Sequence, residues 1–72
     1  SVSDLTIHPS GNDIILRWSP SSGAENYRIY RSEIIDHPIE NWTLLATQPG
    51  TNYTDTGAAG LSKAFYLIMA TN

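Results

Sequence analysis

The run Ala64-Phe65-Tyr66-Leu67-Ile68-Met69-Ala70-Thr71 is apolar at nearly every position, and only Asn72 follows it. Side chains of a strand point alternately to its two faces, so a strand with one wet face alternates apolar and polar residues. Here Tyr66, Ile68 and Ala70 make one apolar face, and Phe65, Leu67 and Met69 make a second. Both faces, and the backbone groups along both edges, call for cover that no residue after Thr71 except Asn72 can supply. The expectation is a last strand that meets a partner.

The 72 residues amount to one domain, 1–72, near the lower limit for folding on a single core. A chain of this size buries only about 60% of the surface it exposes when unfolded. Without staples, such a core supplies roughly 3–5 kcal/mol. There are no cysteines, so disulfides, cysteine-based zinc sites and thiol catalysis are excluded. Four basic residues, Arg17, Arg28, Arg31 and Lys63, stand against seven acids, for a net charge of −3. That balance argues against nucleic acid, whose binding rests on neutralising phosphates. No apolar run approaches the about 18 residues of a membrane span, and the opening Ser1-Val2-Ser3-Asp4 has neither a basic nor an apolar leader region.

Short apolar runs separated by turn formers fill the rest of the chain. Leu5-Thr6-Ile7 reads as a brief strand closed by the turn-rich Pro9-Ser10-Gly11-Asn12-Asp13. Ile14-Ile15-Leu16-Arg17-Trp18 follows, with Ile14, Leu16 and Trp18 on one face, and Pro20-Ser21-Ser22-Gly23 ends it. In Tyr27-Arg28-Ile29-Tyr30-Arg31, Tyr27 and Ile29 point one way and Arg28 and Tyr30 the other. Residues 33–41 form a longer connection containing Pro38. Trp42-Thr43-Leu44-Leu45-Ala46-Thr47 is a fourth strand, and Pro49-Gly50 leads into a short fifth around Asn52-Tyr53-Thr54. Gly57 and Gly60 bracket the loop before the last strand. About six short strands without helical periodicity predict an all-β antiparallel sandwich.

Leu16-Arg17-Trp18-Ser19-Pro20, Tyr27-Arg28-Ile29-Tyr30-Arg31-Ser32, Trp42-Thr43-Leu44-Leu45-Ala46, Tyr53-Thr54-Asp55-Thr56-Gly57, and Leu61 with Phe65-Tyr66-Leu67-Ile68-Met69-Ala70 together resemble the fibronectin type III family over nearly the whole chain. The resemblance implies an immunoglobulin-like antiparallel β-sandwich. Trp18 would be the tryptophan of the family's second strand and Tyr66 the tyrosine of its corner motif, with Leu61 just upstream. The flavour is similar to modules of bacterial secreted and cell-surface proteins, which implies an extracellular or cell-surface location. Members serve mostly as spacers, adhesive modules and scaffolds, so the resemblance speaks to fold more than function. A full member has seven strands, and this sequence ends after the sixth. The missing strand would pair the free edge of the last one. The outward positions there, commonly polar in the family, are Phe65, Leu67 and Met69, with Tyr30 as a neighbour across the sheet.

Catalytic signals are weak. His37 lies in the acidic stretch Glu33-Ile34-Ile35-Asp36-His37-Pro38-Ile39-Glu40, whose spacing fits neither a zinc nor a calcium loop, and His8 reads as exposed at a strand end. Asp36 beside His37 makes no dyad without a positioned nucleophile. Asp55 reads as a turn former bonding nearby backbone amides. Asn41-Trp42-Thr43 and Asn52-Tyr53-Thr54 match the short glycosylation pattern by coincidence. Trp42 and Tyr53 would have to be exposed together to stack on a carbohydrate, and core packing suits Trp42 better.

The expected core is Leu5, Ile7, Ile14, Leu16, Trp18, Tyr27, Ile29, Leu45, Tyr66, Ile68 and Ala70. The expected function is a non-catalytic accessory or interaction module with no cofactor or metal. It contacts a neighbouring domain or another copy of itself through Phe65, Leu67, Met69 and Tyr30. A self-assembling subunit is the alternative, its open edge receiving residues 1–4 or the first strand of the next copy. A carbohydrate-binding module is the weaker alternative.

Overall fold

The structure, a computed structural model, describes residues 2–72, and these form six strands in two antiparallel sheets with no helix beyond two single 3-10 turns. One sheet has the order β1-β2-β5, from β1 (Thr6–Ser10), β2 (Asp13–Arg17) and β5 (Asn52–Asp55). The other has the order β4-β3-β6, from β4 (Thr43–Gln48), β3 (Asn26–Ser32) and β6 (Phe65–Thr71). The all-β sandwich expected from the sequence is therefore present, with the core between the sheets. Leu16 and Trp18 from one side meet Tyr27, Ile29 and Ile68 from the other, all of them buried. Trp18 lies one residue past β2, yet its amide donates to the Thr51 carbonyl (3.1 Å), and its ring meets Tyr27 edge-on at 5.6 Å.

β1 runs further than expected, through His8 and Pro9 to Ser10. It is an edge strand joined to β2 by the two-residue turn Gly11-Asn12, with Ser10 opposite Asp13. Gly11 sits at the first central position with φ +59°, where a type II′ turn takes glycine. Alternation outward from that turn aims the nitrogen of Pro9 away from β2, so the missing N–H costs the ladder nothing. β4 opens at Thr43 rather than Trp42, which instead caps a 3-10 turn over Ile39–Asn41. In β4 the register slips by one residue: Ile29 faces Ala46 while Tyr30 faces Leu44. The bulge lets consecutive Leu45 and Ala46 both pack against the core.

Of the expected core, Leu5, Ile14, Leu45 and Tyr66 are half-buried against the buried cluster. Two residues depart from expectation. Ile7 is 51% exposed although its register opposite Leu16 places it on the inward side of β1. The facing sheet does not reach over that edge. Ala70 is also exposed, because β6 is the edge of its own sheet. Ala58, in the 3-10 turn Ala58–Gly60, is buried and was not foreseen. Gly57, with φ +77°, lets the chain enter that turn, and its amide donates to Asp13 Oδ1 (2.8 Å).

Candidate functional site: outer face and open edge of β6

The β3–β6 ladder sets Tyr30 opposite Leu67, Arg28 opposite Met69 and Ser32 opposite Phe65. The four side chains expected to meet a partner thus share the outer face of one strand pair. Met69 is exposed, and Phe65, Leu67 and Tyr30 are half-buried. The bulge in β4 adds a residue that the sequence did not reveal. Leu44, 50% exposed, stands across Tyr30 from Leu67, so Leu44, Tyr30 and Leu67 form an apolar row across all three strands. Without knowledge of the register slip, alternation cannot say which of Leu44 and Leu45 faces out. Ile34, Ile35 and Ile39 add exposed apolar surface in the following connection. The backbone of Ile34 is tied to Ser32 Oγ, opposite Phe65.

The edge of β6 away from β3 is the second element. Val2 donates its amide to the Ile68 carbonyl at 3.1 Å, so that carbonyl points away from β3. By the alternation of an antiparallel ladder, the backbone groups of Tyr66 and Ala70 point the same way. Among the described residues β6 has no other neighbouring strand. Residues 2–4, part of the segment considered as a donor to a second copy, are thus folded back onto their own chain. Ser1 lies outside the described residues.

Inside the sandwich lies a polar cluster that corrects the reading of Asp55. This residue is not a turn former: it is in β5, opposite Ile14, and faces inward at 5% exposure. Arg31 Nη1 donates to Asp55 Oδ1 at 2.8 Å and to Oδ2 at 2.7 Å, and the Tyr66 hydroxyl donates to Oδ2 at 2.8 Å. Arg31 and Tyr66 face each other across the β3–β6 ladder, so the cluster ties the two sheets together. The Tyr66 hydroxyl is spent on this carboxylate. Burial first, then the Asp55 carboxylate, push that hydroxyl well above the ordinary tyrosine range. The hydrogen bonding of Arg31 to Asp55 raises the Arg31 pKa, against the opposing effect of burial. The signal for this cluster was in the alternation. Arg31 is in phase with Tyr27 and Ile29, Asp55 with Tyr53, and Tyr66 with Ile68, and a charge on an inward position demands a partner.

The remaining candidates do not converge. His37 is exposed, and its carbonyl accepts the indole N–H of Trp42 at 2.8 Å. His8 is exposed within β1. Trp42 is half-buried outside the core cluster, whereas Tyr53 packs against that cluster from β5, so they do not form one exposed platform. No group of three metal-ligating side chains occurs among the described residues, and none of their helices is long and apolar enough to cross a membrane.

No family model, curated protein or solved structure matches this chain. What it does must be argued from β6 and its surroundings.

Proposed function

We propose that this chain is a non-catalytic interaction module, an accessory part of a bacterial extracellular or cell-surface protein, which docks through the outer face of β6. The observation that carries the reading is the row Leu44, Tyr30 and Leu67 with Met69 beside it, apolar and partly open to water on a sheet whose other face already holds the core. The fibronectin type III resemblance supports the same reading. The one buried ion pair among the described residues supports the non-catalytic part, since Asp55 already accepts three hydrogen bonds from Arg31 and Tyr66.

Magnitudes favour a tethered partner. Fully burying a leucine or methionine side chain is worth about 1.5–3 kcal/mol, so completing the half-finished burial of Leu44, Leu67 and Met69 yields about 2–4 kcal/mol. Free association costs about 4 kcal/mol or more in lost translational and rotational freedom. The outer face alone therefore suits a neighbouring domain of the same protein, held at high effective concentration. The carbohydrate reading loses ground because Tyr53 faces the core.

The test compares wild type with Leu67→Glu, using binding of anilinonaphthalene sulfonate and mapping of the amide shifts it causes. Wild type is expected to bind the dye with shifts at Tyr30, Leu44, Leu67 and Met69. Leu67→Glu is expected to lose that binding and keep its fold. Unfolding of L67E would show that Leu67 belongs to the core, and shifts elsewhere would show that the face is not a docking surface. Either result ends the proposal.

A further inference from the structure

The outer face of the β4-β3-β6 sheet has two ends of unlike charge. Of the strand residues in phase with this face, Arg28 alone is charged, and it stands exposed between Thr47 on β4 and Met69 on β6. Glu25, before β3, has the inward phase of Tyr27 rather than that of Arg28. The other end is acidic. Ser32 shares the outward phase of Arg28 and Tyr30 yet is buried, because its Oγ accepts the Ile34 amide and donates to the Ile34 carbonyl. Those bonds fold the start of the 33–41 connection onto the sheet. The connection carries Glu33, Asp36 and Glu40, each next in sequence to one of the exposed Ile34, Ile35 and Ile39. The Trp42 indole N–H, donating to the His37 carbonyl, holds it from its far end. Among the described residues no ion pair engages Arg28 or the three acids, and Lys63, exposed before β6, offsets one acid without pairing.

Between the two ends lies the row of Leu44, Tyr30 and Leu67. Arg28 and Ser32 are four residues apart, about 13 Å along an extended strand, beyond the screening length of about 8 Å at physiological salt. A partner therefore meets two separate charges rather than one neutral pair. We propose that this face takes a protein segment of matching polarity, apolar where it crosses the row, with a carboxylate at Arg28 and a lysine or arginine at the 33–41 connection. This names the partner of the docking face and rests on the reading of β6 as such a face. Charge complementarity selects the occupant. Nucleic acid and an anionic membrane are repelled by Glu33, Asp36 and Glu40. A basic side chain fits that end twice over, its aliphatic stem covering isoleucine while its head meets the neighbouring acid. Such pairs add little affinity at an exposed rim, but they fix which way round the partner lies. A second copy carries the same charges, yet untethered it gains too little from the apolar row.

The test uses two capped peptides, Glu-Thr-Leu-Thr-Leu-Thr-Lys and its charge-exchanged twin Lys-Thr-Leu-Thr-Leu-Thr-Glu. Each is spin-labelled at its amino end and added at millimolar concentration to the isotope-labelled chain, where broadened amide signals show the position of the label. The first peptide is expected to broaden Arg28, Thr47 and Met69, and the twin Ile34, Asp36 and Glu40. The preference should vanish in about 1 M salt, where the screening length is about 3 Å. Arg28→Glu should weaken the first peptide about threefold to tenfold at low salt. Peptides that lie the same way round whichever end carries the glutamate overturn the charge pairing and leave the docking face standing. If neither peptide binds while anilinonaphthalene sulfonate still shifts Tyr30, Leu44, Leu67 and Met69, the proposal again falls alone. If the peptides and the dye both leave the face untouched, the docking reading falls with it. A doubled mass of the chain by itself at the same concentration, abolished by L67E, would make a second copy the occupant and overturn the proposal.

Discussion

Replacing Asp55 with leucine removes the acceptor of three hydrogen bonds at once and leaves Arg31 and the Tyr66 hydroxyl without it. Removing one member of a buried ion pair costs about 3–5 kcal/mol, because the other charge stays desolvated. The Arg31 side chain keeps 26% of its surface in water, so part of its hydration is recovered, and about 2–3 kcal/mol is expected for Asp55→Leu. Arg31→Met is expected to cost more, about 3–4 kcal/mol, since Asp55 is nearly enclosed and its charge has nowhere to turn. The double variant R31M/D55L replaces the pair by apolar groups and is expected within about 1 kcal/mol of wild type. A coupling of about 6 kcal/mol between the two sites follows, far beyond the about 0.5 kcal/mol of independent substitutions.

The assay is urea unfolding followed by the fluorescence of Trp18, which is buried edge-on to Tyr27 and reports the core. With a slope of about 1 kcal/mol per molar urea for a small domain, the single variants should lose about 2–4 M in midpoint. Because a domain of this size holds only roughly 3–5 kcal/mol in total, the series is best run in an excluded osmolyte that raises every variant together. Additive single-variant costs, or a double variant as unstable as the sum of its parts, would refute the view that this cluster clamps the sheets as a unit.

Base should unfold the protein through Tyr66. Its hydroxyl is held above the ordinary value of about 10, so the folded state keeps a proton that the unfolded chain releases. The stabilisation is complete below pH about 10 and falls above it by at most about 1.4 kcal/mol per pH unit, which circular dichroism against pH would follow. Tyr66→Phe should remove that part of the slope; an unchanged slope would place its origin elsewhere. Ile29→Ala is expected to cost about 2–5 kcal/mol, enough to unfold much of the population, while Ile7→Ala costs under about 1 kcal/mol. Equal losses in urea midpoint would show that β1 is covered after all.

The strands were readable because alternation is a physical necessity of a sheet between a core and water. Tyr27 with Ile29, and Leu16 with Trp18, needed no further information. What failed was whatever depends on the opposite layer. Ile7 has the right phase for the core but sits on an edge that the other sheet leaves open. Pro9 reads as a breaker, and only edge position makes it harmless. Asp55 carries the local preference of a turn residue. Its position in β5 and its contacts with Arg31 and Tyr66 come from tertiary packing, which local preference does not encode. At the candidate site, Phe65, Leu67, Met69 and Tyr30 fell on one face as their phases required, whereas Leu44 depended on a bulge that no periodicity shows.

The two sides of the sandwich are tied with unequal strength, and this bears on how docking would act. On the β5 side, Asp55 holds β3 and β6 through an ion pair and a hydroxyl. Toward β1 and the open edge of β6, the Val2–Ile68 hydrogen bond ties the segment before β1 to β6, and Ile7 and Ala70 remain exposed. Local opening draws on the free energy of the contacts it breaks, so the β1–β6 side opens at lower cost than the β5 side. A partner laid along β6 adds contacts on an edge where Ala70 and Met69 are still exposed, and any species that binds only the folded chain raises its stability by mass action. Docking at this edge and stability of the domain are therefore one linked quantity. Protection of the Ile29 and Ile68 amides against hydrogen exchange should rise when the edge is filled, even though the core packing around those residues does not change.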